Sequence, residues 1–462
     1  MQSHPAAPPF GAMAGPGLIR AAPSLRISAE RLRCLLLVLT GASGAIVFIE
    51  PSPYEIVSFL TLAVFVIGGL TLSPALMPLG VLLVLINIGY SISAWSFLDE
   101  QGIVTWVLTS WYLALTALFF AALLGANTEA RLNALTRGCM IGGAIAALAA
   151  IVGYFRIFPG LNDLLLLYDR ARGTFKDPNV LGAFLIFPAL LALQPVISGN
   201  VKKAFKGAML LGLLVPAILL SFSRAAWGQM VYTALVVLAL TFITARSPSQ
   251  RLRIVLLSVT GVVILAGFIG ALISIDIVAD LFKQRASLSQ SYDMGEQGRF
   301  ARHILGAVLA LDKPFGIGPL QFAKYFPEDP HNSYLNAFMA GGWLAGACYP
   351  TLVALTLAFG LRATLVRTPW QQTTIVVFAG YFGVATESFI IDTDHWRHTF
   401  LLLGLMWGLI AAARTHSARV RALAADDHLL FEGGGPALER PALARPRGAS
   451  YTLPRRSVAQ PG

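Results

Sequence analysis

The stretch HNSYLNAFMAGGWLAG, residues 331–346, decides the fold. It begins with an imidazole and a carboxamide and then becomes a long apolar run that contains glycine. Within the run, Gly341 pairs with Ala345 and Gly342 with Gly346 at a spacing of four, a pattern that lets two membrane helices pack closely. The stretch therefore predicts a membrane helix with a histidine at its entrance.

The composition of the whole chain supports a membrane protein. The 462 residues are 56% hydrophobic and 12% charged, with a mean hydropathy of +0.70, whereas soluble domains carry about 25% charged residues. Apolar stretches of about 20 residues match the span of a bilayer helix. We predict an all-α polytopic protein with about twelve transmembrane helices, at residues 34–49, 56–72, 76–97, 103–125, 138–157, 179–197, 207–222, 226–244, 254–275, 333–361, 372–391 and 399–413.

The distribution of charge predicts the orientation of these spans. With the N-terminus inside, most of the Lys and Arg residues fall in inner connections and most acidic residues fall outside. The net charge of +11 is then mostly explained by the orientation of the spans in the membrane. It is only weak evidence for nucleic-acid binding, so no nucleic-acid partner is predicted. Residues 1–30 and 414–462 are predicted disordered cytoplasmic tails around a domain at 31–413. The three cysteines lie within spans and form no extracellular disulfide framework.

One outer connection, residues 276–330, is far longer than the others and precedes the tenth span. Its segment GRFARHILGAVLALDKP predicts an amphipathic helix. Phe300, Ile304, Val308 and Leu311 share one face, and Arg299, Arg302 and His303 share another. Such a helix lies on the bilayer or caps the bundle, and both alternatives stay open.

Two further outer clusters contain cations. In RARGTFKDPNVLG, Arg172 and Lys176 are candidate ligands, although Asp177 as an N-cap with interfacial cations explains the spacing equally well. In SFSRAAW, Arg224 occupies a short turn between two spans. Snorkelling to the interface is the simpler account, but a charge at the membrane edge is by default a candidate site.

The remaining candidates lie at the start of the tenth span and before the twelfth. Asn332 is a plausible helix cap, whereas capping does not account for His331. The segment DTDHWRH, residues 392–398, is either a metal site or, the favoured interpretation, an interfacial charge network. Glu387 needs a partner, for which Arg397 is a candidate.

Taken together, the candidate residues on the predicted outer face are several arginines and one histidine. Arginine binds phosphate by bidentate, charge-assisted hydrogen bonds, and histidine exchanges a proton near neutral pH. Together they indicate transfer from a lipid diphosphate to a hydroxyl. The sequence has no Gly-rich phosphate loop, no HExxH and no convincing pair of catalytic carboxylates.

Four motifs in order, RGTFKDPNVLG, SFSRAAW, GRF…LDKPFGIGPLQF and HNSYLNAFMAGGWLAG, resemble the O-antigen ligase and O-antigen polymerase superfamily over roughly residues 30–412. In ligases of this family a His and an Asn, Ser or Gln are followed by nine residues, a glycine, two residues and then Gly, Thr or Tyr. Here Gly342 fits, but position 345 is alanine and Gly346 comes one place late.

The resemblance implies a metal-independent, inverting glycosyltransferase of the GT-C type in the bacterial inner membrane, without a cofactor. Both termini would be cytoplasmic and the long loop and active site periplasmic. The enzyme would move a glycan from undecaprenyl diphosphate to a lipid A–core hydroxyl. His331 would be the base, Arg224 and Arg299 would bind the diphosphate, and Arg172 would be a fourth member. Asn332, Arg302 and Lys176 are further candidate substrate-binding residues.

Other functions stay open at this point. Polymerase relatives transfer the chain to a second lipid-linked repeat unit, and oligosaccharyltransferase relatives transfer it to a protein. A transporter of lipid-linked glycans would also need many spans and cations, but with charges deep in the bundle rather than at its outer edge. A non-catalytic scaffold would tolerate loss of His331.

Overall fold

A computed structural model of the chain describes residues 23–49, 51–274, 279 and 298–432. In these ranges the fold is all-α, with fourteen α-helices and one two-stranded hairpin. The first six helices are α1 Pro23–Ser43, α2 Pro53–Ile67, α3 Met77–Ala94, α4 Ile103–Leu123, α5 Thr128–Tyr154 and α6 Asn162–Leu165. After β1 Leu166–Leu167 and β2 Arg170–Ala171 come α7 Pro178–Ser198, α8 Val201–Leu220, α9 Arg224–Thr244, α10 Pro248–Ile273, α11 Arg299–Asp312, α12 Ser333–Thr364, α13 Gln371–Glu387 and α14 Arg397–Glu432.

Each of the twelve predicted spans overlaps a helix, although the first helix ends at Ser43 and the second at Ile67, before the predicted span ends. Among the described residues, nine helices are long and apolar enough to cross a bilayer. The three others are α1, whose first half is polar, and the shorter α2 and α13, with 15 and 17 residues. The prediction of an all-α polytopic membrane protein is confirmed.

Close packing between helices depends on glycine, as the small-residue pattern predicted. A Cβ on Gly41 of α1 would lie 2.6 Å from the Leu135 carbonyl oxygen of α5, and one on Gly89 of α3 would lie 2.7 Å from the Gly341 oxygen of α12. Backbones approach this closely only where no side chain intervenes. α1 therefore packs on α5, and α3 packs on α12.

Polar contacts distinguish two ends of the bundle. At one end Glu30 accepts hydrogen bonds from Arg131 at 2.7 and 3.0 Å and from Arg33 at 3.2 Å. At the other end, hereafter the site end, Arg397 pairs with Glu55 and Lys324 with Glu100. In each of these contacts, the partners belong to connections that were predicted on the same side of the membrane. Which end faces the cytoplasm stays a prediction.

α12 is broken at Gly342, whose φ of 63° lies in the left-handed region. The break lets the Pro314 carbonyl oxygen accept a hydrogen bond from the Trp343 N–H at 2.9 Å. A first segment therefore ends at Gly341, and a second runs from Trp343 to Thr364. The second segment alone is long enough to span a bilayer, which explains why the tenth predicted span was unusually long.

The helices extend beyond the predicted domain limits. α1 begins at Pro23, before the predicted domain limit at residue 31, and the disorder of the tails stays a prediction. The last helix continues to Glu432, since residues 415–432 contain many alanines and leucines, which favour helix. Residues 1–22 and 433–462 of the predicted tails, and most of 275–297 in the predicted loop, lie outside the described residues.

We expect Gly342→Ala to destabilise the protein. Left-handed backbone costs an L residue about 1–2 kcal/mol, and the new Cβ would lie 2.3 Å from the Pro314 carbonyl oxygen. The midpoint of thermal unfolding in detergent should fall. As a matched control, Gly212→Ala on α8 meets no atom within 4 Å and should leave the midpoint unchanged or raise it, since alanine favours helix by up to about 1 kcal/mol. Equal midpoints for the two variants would contradict this account.

Candidate functional site

α11 presents its polar face to the protein, and that face holds the segment that leads to His331. Arg302 is buried and donates a hydrogen bond to Glu328 at 2.7 Å. The Nε2–H of His303 donates to the Pro330 carbonyl oxygen at 2.7 Å, since a carbonyl can only accept. Both partners are within three residues of His331. The predicted helix and its two faces are confirmed, and the polar face acts as a clamp on residues 328–330.

His331 has a left-handed backbone, with a φ of 48°, which is uncommon for a residue with a side chain. Asp392 holds this conformation. Its two carboxylate oxygens accept hydrogen bonds from the backbone N–H groups of His331 at 3.2 Å and Asn332 at 2.9 Å. The His331 Nδ1 lies 3.5 Å from the same carboxylate, and the imidazole side chain remains 36% exposed.

The start of α12 and the loop after α13 are joined by a polar network. Asn332 is the N-cap of α12, because its side-chain oxygen accepts from the N–H groups of Tyr334 and Leu335. The Ser333 N–H donates to the Ser388 carbonyl oxygen at 2.8 Å. Further along, the Asn336 amide donates to Asp394 at 2.8 Å. The capping role that the sequence suggested for Asn332 is confirmed. The network as a whole holds the loop that contains Asp392 beside His331.

The pKa values of the two carboxylates near His331 shift in opposite directions, for different reasons. The hydrogen bond from Arg302 lowers the pKa of Glu328, and the positive charges of Arg302 and Arg299 add to this effect. Arg299 is three residues before Arg302 on α11, so it shares the face of the helix that contacts residues 328–330. Burial raises the pKa of Asp392, although its hydrogen bond with His331 opposes the shift.

A second group of residues surrounds the hairpin. Tyr168 and Asp169 form a two-residue turn with positive φ at both positions, the geometry of a type I′ turn. The turn directs Arg170 into the bundle, where it donates to the Ser221 carbonyl oxygen at 2.8 Å and to Asn179 at 2.7 Å. Arg170 therefore attaches this hairpin to the turn that precedes Arg224.

Arg172 and Lys176 lie in the loop between the hairpin and α7. The Arg172 guanidinium donates to three backbone carbonyl oxygens of its own region, those of Asp163, Leu164 and Lys176. Lys176 is exposed, and it is one of the residues that line a cavity of about 180 Å³ between α1, α5, α7 and the start of α14. The following residue, Asp177, caps α7 as predicted. A substrate contact for Arg172 and Lys176 stays a prediction.

Arg224 and Arg299 occupy equivalent positions in two different helices. Arg224 is the first residue of α9, behind its N-cap Ser223, and Arg299 is the first residue of α11, behind Gly298. Helix N-termini carry unpaired N–H groups and a positive partial charge, which favour a bound anion. An arginine at such a position adds a full charge to the same place.

α13 connects these positions to His331. Tyr232 of α9 donates to the Gly383 carbonyl oxygen at 3.0 Å, while the end of α13 meets the start of α12 at Ser333. Arg224 precedes Tyr232 by roughly 12 Å of helix in the direction of the site end. The structure thus brings Arg299, Arg302 and His331 into one cluster and places Arg224, Arg172 and Lys176 at the same end of the bundle.

Two smaller predictions have different outcomes. Arg397 pairs with Glu55 rather than with Glu387, so that prediction was wrong. The reason is the direction of α14, which begins at Arg397 beside the start of α2. The His395 ring lies against Trp106, with centroids 4.1 Å apart and planes tilted by 37°, and its Nδ1 lies 3.5 Å from an Asp394 carboxylate oxygen. Among the described residues no group of three His, Cys, Asp or Glu side chains could hold a metal ion, and residues 392–397 form a network of charged and aromatic contacts instead.

Sequence reasoning missed the roles of Asp392 and Glu328. Asp392 is 61 residues from His331, and no local spacing connects them. The single signal in the sequence was the clustering of acidic residues in an outer connection, which indicated a network but not its partners.

A comparison with protein families adds independent information. Residues 207–349 match the family model described as O-antigen ligase. The matched region runs from α8 into α12 and contains Arg224, Arg299, Arg302 and His331, but neither Arg172 nor Asp392. No curated protein matches the chain. The match supports the superfamily that the four motifs resemble.

We expect the clamp by α11 to weaken in acid. Burial lowers the pKa of His303, and the nearby Arg299 and Arg302 lower it further, against the opposing effects of the Pro330 carbonyl and Asp392. The unfolded segment therefore binds a proton more readily, so the clamp is fully stable above a pH of about 6.5 and loses stability as pH falls toward the folded pKa.

Hydrogen exchange of residues 328–335, corrected for intrinsic rates, measures this effect. Protection should decrease from about pH 7 to about pH 5.5. His303→Gln keeps an N–H donor for the Pro330 carbonyl but does not titrate, so its protection should change less. The same pH dependence in both proteins would mean that His303 is not the responsible group.

Proposed function

On the basis of its O-antigen ligase family region at residues 207–349, we propose that the chain is a membrane glycosyltransferase that acts at the site end. The donor is a glycan linked to undecaprenyl diphosphate, and the acceptor is a hydroxyl of lipid A–core. The protein lies in the bacterial inner membrane with both termini in the cytoplasm and the site end in the periplasm.

The observation that carries this proposal is the arrangement of His331. Its imidazole is partly exposed, and a carboxylate fixes both its backbone and the position of its Nδ1. Arg299 is on the first turn of α11, the helix whose Arg302 and His303 bind the segment that leads to His331. A base beside a cationic, anion-binding helix terminus is the combination that attack on a diphosphate-linked sugar requires.

The transfer is a single displacement. The acceptor hydroxyl gives its proton to Nε2 of His331, because Nδ1 faces Asp392. The acceptor oxygen then forms a bond to the anomeric carbon, while the bond from that carbon to the diphosphate oxygen breaks. The undecaprenyl diphosphate leaves with the bonding electron pair, and the anomeric configuration inverts.

Arg224 and Arg299 stabilise the charge that develops on the departing diphosphate. A guanidinium holds two phosphate oxygens at once and keeps its charge at any working pH. Donors fixed at helix termini need little reorganisation as the charge appears. In this proposal the arginines neutralise the leaving group, and no metal ion is required.

The other predicted residues have supporting roles. Asp392 is a positioning residue, since it orients the imidazole and stabilises the cation that forms on proton transfer. Arg302 and Asn332 support the site from within the protein through Glu328 and the α12 N-terminus. Lys176, which lines the cavity, contacts the lipid donor, and Arg172 fixes the loop that carries Lys176.

A transfer assay with purified protein in lipid tests the function. Undecaprenyl-diphosphate-linked glycan is supplied with and without lipid A–core, to wild type and to His331→Ala. We expect glycan on lipid A–core from wild type and a loss of at least about 100-fold in the variant, the usual contribution of a general base. His416→Ala, which removes a histidine beside Trp370 at the opposite end, should retain activity.

The acceptor decides between related functions. Chain lengthening without lipid A–core would indicate a polymerase with the same site. Full activity of a folded His331→Ala variant would refute the catalytic role of this histidine, and absence of transfer with every acceptor would favour a transporter.

We expect Asp392→Asn to lower kcat by about tenfold or more, which corresponds to about 1.4 kcal/mol of stabilisation of the protonated imidazole. The KM for the donor should stay similar, because Asp392 does not contact the diphosphate. Steady-state transfer kinetics separate the two parameters. Asp312→Asn, at the exposed end of α11, is the matched control and should behave as wild type. A change confined to KM would assign Asp392 to donor binding instead.

A further inference from the structure

α11 has an inverted arrangement of polar and apolar side chains. Its outward face consists of Phe300, Ile304, Val308 and Leu311, which are 52%, 68%, 57% and 70% exposed. Its polar residues Arg302 and His303 face the protein, where they bind Glu328 and Pro330. We refer to the four outward side chains as the apolar face of α11.

A helix whose outward side is in water has the opposite pattern. Charged residues normally occupy the solvent side, and contiguous exposed apolar side chains indicate a surface that something apolar covers. The inward face of α11 is already occupied, because Gly306 and Ala310 pack against Phe322, Leu335 and the start of α12. The apolar face therefore contributes little to the packing among the residues that the structure describes.

The position of α11 relative to the spans indicates what covers this face. The Trp343 indole N–H donates to the Ala310 carbonyl oxygen at 2.9 Å, where the second, membrane-spanning segment of α12 begins. Gly316, shortly after α11, lies against Ser93 near the end of α3. The C-terminal end of α11 is therefore level with the ends of two spans.

Exposed aromatic side chains occur at the same level. Trp95 follows α3 and is 75% exposed, Trp343 is half-exposed, and Phe315 is 73% exposed. Trp in particular is enriched where a membrane span leaves the hydrocarbon and enters the headgroup region. The end of α11 thus lies in a belt of aromatic residues, and its apolar face continues the apolar surface of the spans.

We propose that the apolar face of α11 binds the lipid surface of the leaflet at the site end, so that α11 lies in the membrane interface. The occupant is the bilayer rather than a second copy of the chain, because the face is continuous with the belt of interfacial aromatic residues. A helix of this kind inserts its apolar side to the boundary between headgroups and acyl chains.

This contact has a consequence for the active site, which rests on the proposed function. The same helix contacts the bilayer with one face and binds residues 328–330 with the other. Its position in the interface therefore fixes the height of His331 above the lipid. A lipid-anchored diphosphate would meet the imidazole at a constant depth.

Accessibility measurements on the full-length protein in vesicles of phosphatidylethanolamine and phosphatidylglycerol test the lipid contact. Cys34, Cys139 and Cys348 are replaced by alanine, and spin labels are placed at Ile304→Cys or Val308→Cys. Lys324→Cys, near Glu100, serves as the water-side control, and Val262→Cys, an exposed position on α10, as the lipid-side control. Collision rates with oxygen, which enters lipid, and with a charged nickel chelate, which does not, are compared.

Labels at 304 and 308 should favour oxygen, as at 262, and the label at 324 should favour the chelate. Two results would overturn the proposal. A preference for the chelate at 304 and 308 would show that the face lies in water. Protection from both reagents would show that protein covers it, either another segment of the chain or a second copy. The readout needs no substrate, so it is independent of whether the proposed transfer occurs.

Discussion

The carboxylate of Asp392 is the contact on which the candidate site depends. It accepts hydrogen bonds from two consecutive backbone N–H groups, those of His331 and Asn332. A left-handed residue with a side chain costs about 1–2 kcal/mol, whereas a hydrogen bond to a charged group contributes about 1.5–3 kcal/mol. Two such bonds are enough to offset the strain at His331. They also join the loop after α13 to the start of α12, so the imidazole has a fixed position at the edge of the bundle.

Around this contact, the site consists of helix ends. α9, α11 and α12 all begin at the site end, with Arg224, Arg299 and the cap Asn332 at or next to their first turns. Helix N-termini attract anions without a dedicated loop. In the proposed function, these helix starts would bind the diphosphate at the bilayer surface with few additional residues. The O-antigen ligase family match, residues 207–349, contains all three of these helix starts.

The features that local sequence predicted are those that depend on local physics. The apolar runs predicted the helices, and Asp177 was correctly predicted as the N-cap of α7. The two faces of α11 followed from spacings of three and four residues. The contacts between distant segments were not predictable. Asp392 with His331 and Arg397 with Glu55 depend on which helix ends become neighbours, which no local spacing encodes. The break at Gly342 depends on the approach of Pro314, although the glycine itself marked close packing.

Photochemical cross-linking of the donor tests most directly whether the arginines and the histidine surround one ligand. A polyprenyl diphosphate with a photoreactive group next to the diphosphate is added to the protein in lipid, and the labelled peptides are identified by mass spectrometry. We expect labelling of the segments around Arg224, Arg299 and His331 in one preparation, with all three lost on competition by undecaprenyl diphosphate. Labelling confined to the opposite end, near Arg362 and Arg367, or labelling that undecaprenyl diphosphate does not displace, would contradict it.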